Sequence, residues 1–341
     1  ATKEMLMNYV IEQNLGLGHI EILLKDKDIE EIAVNSAKEP VWIYHRKYAW
    51  LKTNIIIPNE ERIRHYSTMI GRDVNKEITT LNPLMDAHLL TGDRVNATLE
   101  PISSRGNTIT IRKFATEPWT ITDFIKKGTI DYETAALVWL CIQHELSLMI
   151  SGGTGSGKTS MLNVIAAFLP PNQRIISIED TRELQLPNTL HWIPLETRLP
   201  NPEGKGGVAM LDLIINSLRM RPDRIIMGEV RRQKEAETLF EAIHTGHSCY
   251  ATFHANDAHE TVTRLTNPPI NVPKLVLPAM GVILVQNRNR RTNKRRTLQF
   301  AELDKTGEIN IIKQYNAVND KVENIAEMKA ILQKLSLYAG L

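Results

Sequence analysis

Gly152-Gly-Thr-Gly-Ser-Gly-Lys-Thr159 matches the pattern G-x-x-x-x-G-K-[ST] without a gap. The motif lies between an apolar run at 146–150, typical of a buried strand, and a stretch with helical spacing that ends before Pro170. In a strand–turn–helix, the glycines let backbone N–H groups surround an anion, and the positive end of the helix faces the same anion. We therefore interpret the motif as a phosphate-binding loop rather than a chance glycine turn.

The loop predicts a specific set of nucleotide ligands. The Lys158 ammonium is expected to reach the β- and γ-phosphates, and the Thr159 hydroxyl is expected to bind Mg²⁺. The predicted nucleotide-binding residues in this loop are Gly152, Gly153, Thr154, Gly155, Ser156, Gly157, Lys158 and Thr159.

Two kinds of domain follow from the spacing of apolar residues. After a predicted linker at 115–122, the chain has apolar runs at 174–178, 223–227 and 249–253 and helical stretches such as 233–244. This alternation predicts an α/β domain with a largely parallel sheet. The first part predicts a smaller α+β domain, with strands at 41–45, 54–57, 93–99 and 108–112 and a helix at 60–71. We expect domains at 1–114 and 123–341, a linker or hinge at 115–122, and an amphipathic helix at 322–337.

Composition limits the class of protein. The chain has 341 residues, a formal net charge of +2 and 42% hydrophobic residues, which excludes an intrinsically disordered chain. Two cysteines are too few for a disulfide framework, and no apolar run approaches the length of a membrane span. The first residues do not have a secretory signal pattern. These features predict a two-domain intracellular protein and exclude a secreted toxin, a receptor or a collagen.

The stretch 288–296 carries six arginines and lysines among nine residues. Such a cluster could meet nucleic acid, acidic lipid headgroups or an acidic partner. A solvated hairpin loop is the competing interpretation, because asparagines, which favour turns, lie at positions 287, 289 and 293 before and between the charges.

Three further side chains stand where predicted strands end, which is where α/β sheets place their ligands. Glu229 is the candidate for polarising an attacking water, and Glu179 the candidate for holding a metal ion. Either carboxylate could instead cap the helix that follows. His254 ends the next predicted strand and so could face the nucleotide, although a lone histidine is often structural.

Taken together, four segments resemble the type II/type IV secretion ATPase superfamily in order and spacing. They are residues 152–159 (Walker A), 178–183 (Asp box), 218–231 (Walker B) and 245–255 (His box). Similarity extends into the first domain at 16–18, 28–32, 92–96 and 109–114. The segments 41–51 and 267–273 resemble the archaeal branch, whose motors drive pili and archaella.

The resemblance implies a RecA-like P-loop NTPase domain with a smaller, PAS-like α+β amino-terminal domain. It further implies Mg²⁺-dependent ATP hydrolysis by a homo-hexameric motor that acts on a membrane platform protein from the cytoplasmic side, with acidic lipid as a further contact. Glu229 and Glu179 carry over as the Walker B and Asp-box carboxylates, both near the Mg²⁺, and His254 as a γ-phosphate sensor supported by His247. Arginines that reach the nucleotide, some across a subunit boundary, match Arg94, Arg112, Arg198 and Arg219.

Two rival functions remain at this point. A nucleic-acid motor shares this type of core sheet, but the 288–296 stretch has no Tyr or Trp for base stacking. A scaffold that binds nucleotide without turning it over would not need the carboxylates at 179 and 229. The four arginines likewise have a competing interpretation, as surface or inter-strand ion pairs.

Overall fold

The computed structural model of the chain describes residues 16–89, 91–114, 118–198, 200 and 204–339. The chain divides into two compact units, Ala1–Glu117 and Pro118–Leu341. The division falls within the predicted linker, of which residues 115–117 lie outside the described residues. The remainder of that linker leads into a helix of the second unit, whose first turn is capped reciprocally by Thr120 and Asp123.

In its described residues, the first unit is a six-stranded antiparallel sheet with two helices. Its strand order is β3 (Ala49–Lys52), β2 (Trp42–His45), β1 (Ile29–Val34), β6 (Thr108–Arg112), β5 (Arg94–Thr98) and β4 (Leu84–His88). Branched apolar residues such as Ile32, Ile109 and Ile111 are buried on the sheet and pack with the buried face of the longer helix, where Ile63 and Ile70 lie. The elements are α1 (Ile20–Lys25), β1 (Ile29–Val34), β2 (Trp42–His45), β3 (Ala49–Lys52), α2 (Glu60–Asp73), β4 (Leu84–His88), β5 (Arg94–Thr98) and β6 (Thr108–Arg112).

One strand predicted for this unit is wrong. Residues 54–57 are not a strand, and the strand that pairs with β2 is β3, a few residues earlier. The Thr53 hydroxyl donates to the Val41 carbonyl (2.8 Å) and accepts from the Ile55 N–H (3.1 Å). Backbone bonds also join this segment to Val41, whose N–H donates to the Ile55 carbonyl (2.8 Å) and whose carbonyl accepts from the Thr53 N–H (3.0 Å), but no regular strand ladder follows. Ile57 is nevertheless buried, which is why this segment is apolar.

The second unit alternates strands and helices, and a run of antiparallel strands and a further helix follow. Gly157, with φ of 94°, is the N-terminal cap of the helix that follows the first strand of this unit. The elements are α3 (Ile121–Lys126), α4 (Tyr132–Gln143), β7 (Leu148–Gly152), α5 (Lys158–Ala166), β8 (Arg174–Glu179), β9 (His191–Glu196), α6 (Met210–Ser217), β10 (Arg224–Met227), α7 (Gln233–His244), β11 (Ser248–Phe253), α8 (Ala258–Thr266), a 3₁₀ helix (Lys274–Met280), β12 (Val282–Arg288), β13 (Arg295–Leu303), β14 (Ile309–Asn316), β15 (Lys321–Asn324) and α9 (Ala330–Ala339).

A nine-stranded sheet organises this unit, in the order β15-β14-β13-β12-β7-β11-β10-β8-β9. Six neighbouring strands, β12, β7, β11, β10, β8 and β9, run parallel. Strands β12, β13, β14 and β15 pair antiparallel. Alternate residues of β7 enter two different cores, Leu148 and Ile150 on one face and Met149 on the other. A strand buried on both faces needs an unbroken apolar run, as residues 146–150 predicted. The predicted α/β class with a smaller α+β domain is confirmed.

The predicted helix at 322–337 is only partly correct. Its first residues form β15, which pairs with β14, and the helix begins at Ala330. Asp320 adopts φ of 53° at the turn before β15, and its carboxylate accepts bonds from Arg296 and Tyr315. Those bonds tie the turn to the sheet. No helix in the described ranges is both long and apolar enough to span a membrane.

Candidate nucleotide-binding site

The glycine-rich loop leaves the carboxyl end of β7 and enters α5. A β-carbon on Gly152 would lie 2.5 Å from the Gln286 carbonyl of β12, so the neighbouring strand excludes any side chain at this position. Gly155 and Gly157 have φ of 71° and 94°, in the left-handed region that glycine adopts without steric cost. The loop therefore has its shape because backbone packing and torsion angles both require glycine.

Polar groups of the loop face inward. Lys158 is 8% exposed, and its ammonium donates to the Gly153 carbonyl (3.1 Å) and to His254 Nδ1 (3.3 Å). Burial lowers the pKa of Lys158, and the Glu229 carboxylate partly opposes that effect. Among the described residues, the buried Ser156 hydroxyl has no hydrogen-bond partner. An ammonium and an unpartnered hydroxyl inside a glycine loop fit a bound polyphosphate.

His254 connects the loop to Glu229. His254 follows β11, and its Nε2 lies 3.2 Å from Glu229 Oε1. Burial and the nearby Lys158 charge lower the pKa of His254, which favours a neutral ring at neutral pH. Since an ammonium only donates, Nδ1 accepts from Lys158, which leaves the hydrogen of the neutral ring on Nε2, next to Glu229 Oε1. A continuous path of polar contacts thus runs from Lys158 through His254 to Glu229.

Arg231 extends this path and was not among the predicted site residues. Its guanidinium donates to Glu229 Oε2 (2.8 Å) and to Asp180 Oδ2 (2.5 Å). The bond to Glu229 is the main cause of the raised pKa of Arg231. Glu229 therefore has one carboxylate oxygen toward His254 and the other toward Arg231. The sequence signal was a charged residue two positions after a candidate carboxylate, which by itself also fits an exposed loop.

Glu179 ends β8 and is 2% exposed. Its Oε1 accepts from the backbone N–H groups of Glu183 (2.9 Å) and Leu184 (3.1 Å), whereas Oε2 has no hydrogen-bond partner within the described ranges. Burial raises the pKa of Glu179 to about 7. Gly228 permits this position, since a β-carbon there would lie 3.2 Å from Glu179 Cγ. A buried carboxylate with one free oxygen fits a cation, whose charge would favour the ionised form.

The residues predicted for Mg²⁺ do not form a ready-made metal cage. No group of three His, Cys, Asp or Glu side chains suited to a metal occurs in the described part of the chain. Magnesium in nucleotide sites is usually held by one or two protein oxygens together with phosphates and waters. Thr159, half-buried in the first turn of α5, and the carboxylates of Glu179 and Glu229 fit that sparse arrangement.

Three further predicted residues belong to this unit. His247 precedes β11, and its Nδ1 is 3.1 Å from the Ala242 carbonyl at the end of α7. It is separated from His254 by the whole of β11, a distance of about 20 Å at the usual rise of a strand. Arg198 and Arg219 are exposed; Arg198 donates to the Gly206 carbonyl at 2.6 Å. The structure does not bring His247 to the loop of its own chain.

The two arginines predicted in the first unit lie opposite each other on neighbouring strands of its sheet. Arg94 on β5 and Arg112 on β6 are register partners, and both are exposed. Arg94 forms a two-point ion pair with Asp86 on β4 (3.1 and 2.7 Å), the inter-strand pair that was its competing interpretation. Arg112 is paired in register with Glu31 of β1. Their predicted contact with a nucleotide across a subunit boundary stays a prediction.

The second unit has the strand–loop–helix order and the parallel core sheet of a RecA-like α/β domain, and a smaller domain precedes it. The chain belongs to the type II/IV secretion system protein family, whose model matches residues 16–331. The predicted family is confirmed.

Relatives and solved structures agree with this assignment. An uncharacterised protein of Methanocaldococcus jannaschii is 45% identical over 245 residues, which are 70% of this chain and 33% of that protein. A second one is 37% identical over 82% of this chain and 50% of its own length. The chain thus spans a third to a half of these archaeal relatives. The type IV secretion system protein PtlH of Bordetella pertussis is 28% identical over 73% of this chain and 80% of its own length.

Two solved structures share the fold. The pilus retraction motor PilT with bound ADP has a TM-score of 0.62 at 19% identity and covers 94% of this chain and 87% of its own. The ATPase DotB of Legionella pneumophila has a TM-score of 0.60 at 21% identity and covers 83% and 79%. Identities this low establish the fold alone.

Proposed function

We propose that this chain is the ATP-hydrolysing subunit of a motor that drives pilus assembly or protein secretion from the cytoplasmic face of a membrane. The observation that supports it most strongly is the path of polar contacts from Lys158 through His254 to Glu229. That path joins a phosphate-binding lysine to a carboxylate able to act on water. Family membership and the relatives named for secretion and pilus retraction supply the biological context.

Each group of the site has a part in this proposal. The backbone of residues 152–159 and the Lys158 ammonium bind the phosphates, and the Thr159 hydroxyl and Glu179 hold Mg²⁺. When bound, Mg²⁺ supplies positive charge that stabilises the phosphoryl group as it is transferred. Glu229 accepts a proton from the attacking water. His254 reports the state of the site, because a γ-phosphate that draws Lys158 away from Nδ1 changes the contact of His254 with Glu229.

Turnover is tested by comparing the wild type with Glu229→Gln in the presence of Mg²⁺. We expect kcat to fall by about 10²-fold or more, because Gln cannot accept the proton. ADP affinity should remain close to that of the wild type. The matched control is Glu237→Gln, the same chemical change on an exposed face of α7. A wild type that turns over no faster than Glu229→Gln would leave a nucleotide-binding scaffold as the better description.

Assembly into a homo-hexameric ring is part of the proposal, since a finger arginine serves a neighbouring subunit when subunits pack head to tail. The test mixes two inactive variants, Arg112→Ala and Glu229→Gln. If Arg112 acts on the neighbour's nucleotide, mixed rings contain some sites with both groups intact, and activity returns. Activity that stays at the level of the separate variants would show that Arg112 has no role across the boundary.

The membrane platform partner is tested through the response of the ATPase rate. We expect the rate per subunit to rise with protein concentration, as a ring forms, and to rise again with vesicles that contain acidic lipid. A rate that changes neither with protein concentration nor with acidic lipid, but rises with single-stranded DNA, would favour a nucleic-acid motor instead.

A further inference from the structure

The basic stretch 288–296 is a hairpin whose charges have different partners. Residues 282–288 and 295–303 are β12 and β13, which pair antiparallel. Arg296 makes a two-point ion pair with Asp320 (2.7 and 3.0 Å), and Lys294 reaches the same carboxylate at 3.3 Å. These bonds hold the Asp320 carboxylate ionised and lower its pKa. Two of the six cations therefore serve the hairpin's own attachment to the sheet.

Two other cations of the hairpin lie against the phosphate-binding loop. Arg295 Nε donates to the Gly155 carbonyl at 3.2 Å, and its Cδ would lie 3.3 Å from a β-carbon on Gly157. Arg288 Nη1 would lie 2.9 Å from a β-carbon on Gly155, and Arg288 Nε donates to Asn293 Oδ1 at 2.8 Å. Both arginines are half-buried. They thus belong to the wall of the loop and not to the solvated tip of the hairpin.

Strand order decides which part of a nucleotide these arginines would meet. The loop leaves β7, with β12 on one side and β11 on the other, followed by β10 and β8. His254, Glu229 and Glu179 all follow strands on the β11 side. The γ-phosphate must face those groups for hydrolysis to occur. The hairpin lies on the opposite side of β7, so it faces the other end of the nucleotide.

We propose that Arg288 and Arg295 bind the α-phosphate and nucleoside end of the nucleotide held by the loop of the same chain. This inference rests on the proposed function. A guanidinium suits the position because it donates to phosphate oxygens and also stacks on the flat face of a base. The arginines act on affinity and not on the chemical step, because they lie away from the γ-phosphate.

The test measures dissociation constants of ADP, a non-hydrolysable ATP analogue and pyrophosphate by calorimetry, using the full chain. The variant is Arg288→Gln/Arg295→Gln, and the control is Arg290→Gln/Arg291→Gln, which removes the same charge from the exposed tip of the same hairpin. We expect the variant to bind ADP and the ATP analogue about tenfold more weakly, by the same factor for both. Pyrophosphate affinity and kcat at saturating ATP should change less than about twofold.

Several outcomes would overturn the inference while leaving the proposed function intact. One is a variant that binds ADP as tightly as the control does; another is a loss confined to the ATP analogue, which would place the arginines at the γ-phosphate. An equal loss for pyrophosphate would mean that the loop itself had been distorted. Arg288→Gln alone keeps the Arg295 bond to the loop and should still weaken both nucleotides, by about threefold. A wild type that binds no nucleotide would instead refute the proposed function.

Discussion

The buried carboxyl of Glu179 makes a pH-dependent prediction about stability. In Glu179→Gln, the amide oxygen can still accept the backbone N–H groups of Glu183 and Leu184, and the group can no longer ionise. Glu179 is 2% exposed, so its ionised form is poorly solvated in the protein without nucleotide. The substitution therefore isolates the cost of burying this one negative charge.

The magnitude follows from the pKa of Glu179, which burial raises from its ordinary value of 4.5 to about 7. Each pKa unit corresponds to about 1.36 kcal/mol, so ionised Glu179 destabilises the folded chain by about 3 kcal/mol. The folded state binds the proton more tightly than the unfolded state does. Wild-type stability is therefore complete below pH 4.5 and declines as the pH rises through about 7, whereas the variant does not show this decline at residue 179.

The assay is urea unfolding of the full chain without nucleotide or Mg²⁺ between about pH 5 and pH 8. Tryptophan fluorescence reports on this region, because Trp192 Nε1 donates to Ser177 Oγ (2.8 Å) on the strand that ends at Glu179. The free energy of unfolding of Glu179→Gln, minus that of the wild type, should rise by about 2.5 kcal/mol over this range. Glu237→Gln on the exposed face of α7 should follow the wild type at every pH. Parallel curves for Glu179→Gln and the wild type would refute a raised pKa at this residue.

Two further predictions concern arginines of the second unit. Arg231→Ala removes a bond that holds Glu229 in place, so kcat should fall about tenfold or more while ADP affinity stays unchanged. Arg232→Ala is the control, because Arg232 is exposed. Equal kcat values for the two variants would show that Glu229 needs no such support. Arg224 is fully buried and donates to the Tyr250 hydroxyl (2.7 Å). Arg224→Ala should therefore lower the free energy of unfolding, measured in urea, by about 3 kcal/mol. A loss below about 1 kcal/mol would contradict the importance of this bond.

Local signals predicted most of the elements. The apolar runs at 174–178 and 249–253 lie in β8 and β11, and the helix predicted at 233–244 matches α7. The errors at 54–57 and at the start of 322–337 occur where the chain is bonded to residues distant in the sequence. Residues 53 and 55 bond to Val41, and Asp320, just before β15, bonds to Arg296 of β13; apolar spacing carries no record of such contacts.

The phosphate-binding loop could be predicted from local sequence alone, because the loop's conformation and its anion contacts depend on glycines and backbone N–H groups that are consecutive in the chain. Local sequence also predicted the α/β class through its apolar runs. The side chains around the loop were decided by the tertiary structure. Lys158 and His254 are 96 positions apart, and they meet because β7 and β11 are neighbours.

The same strand order explains the remaining differences. His247 lies at the opposite end of β11 from His254, although the two residues belong to one motif. Arg295 lies on the loop because β12, which pairs with β13, is the other neighbour of β7. Which strands lie side by side is a property of the whole sheet, since it depends on how all its helices cover both faces, and no short segment of the sequence encodes it.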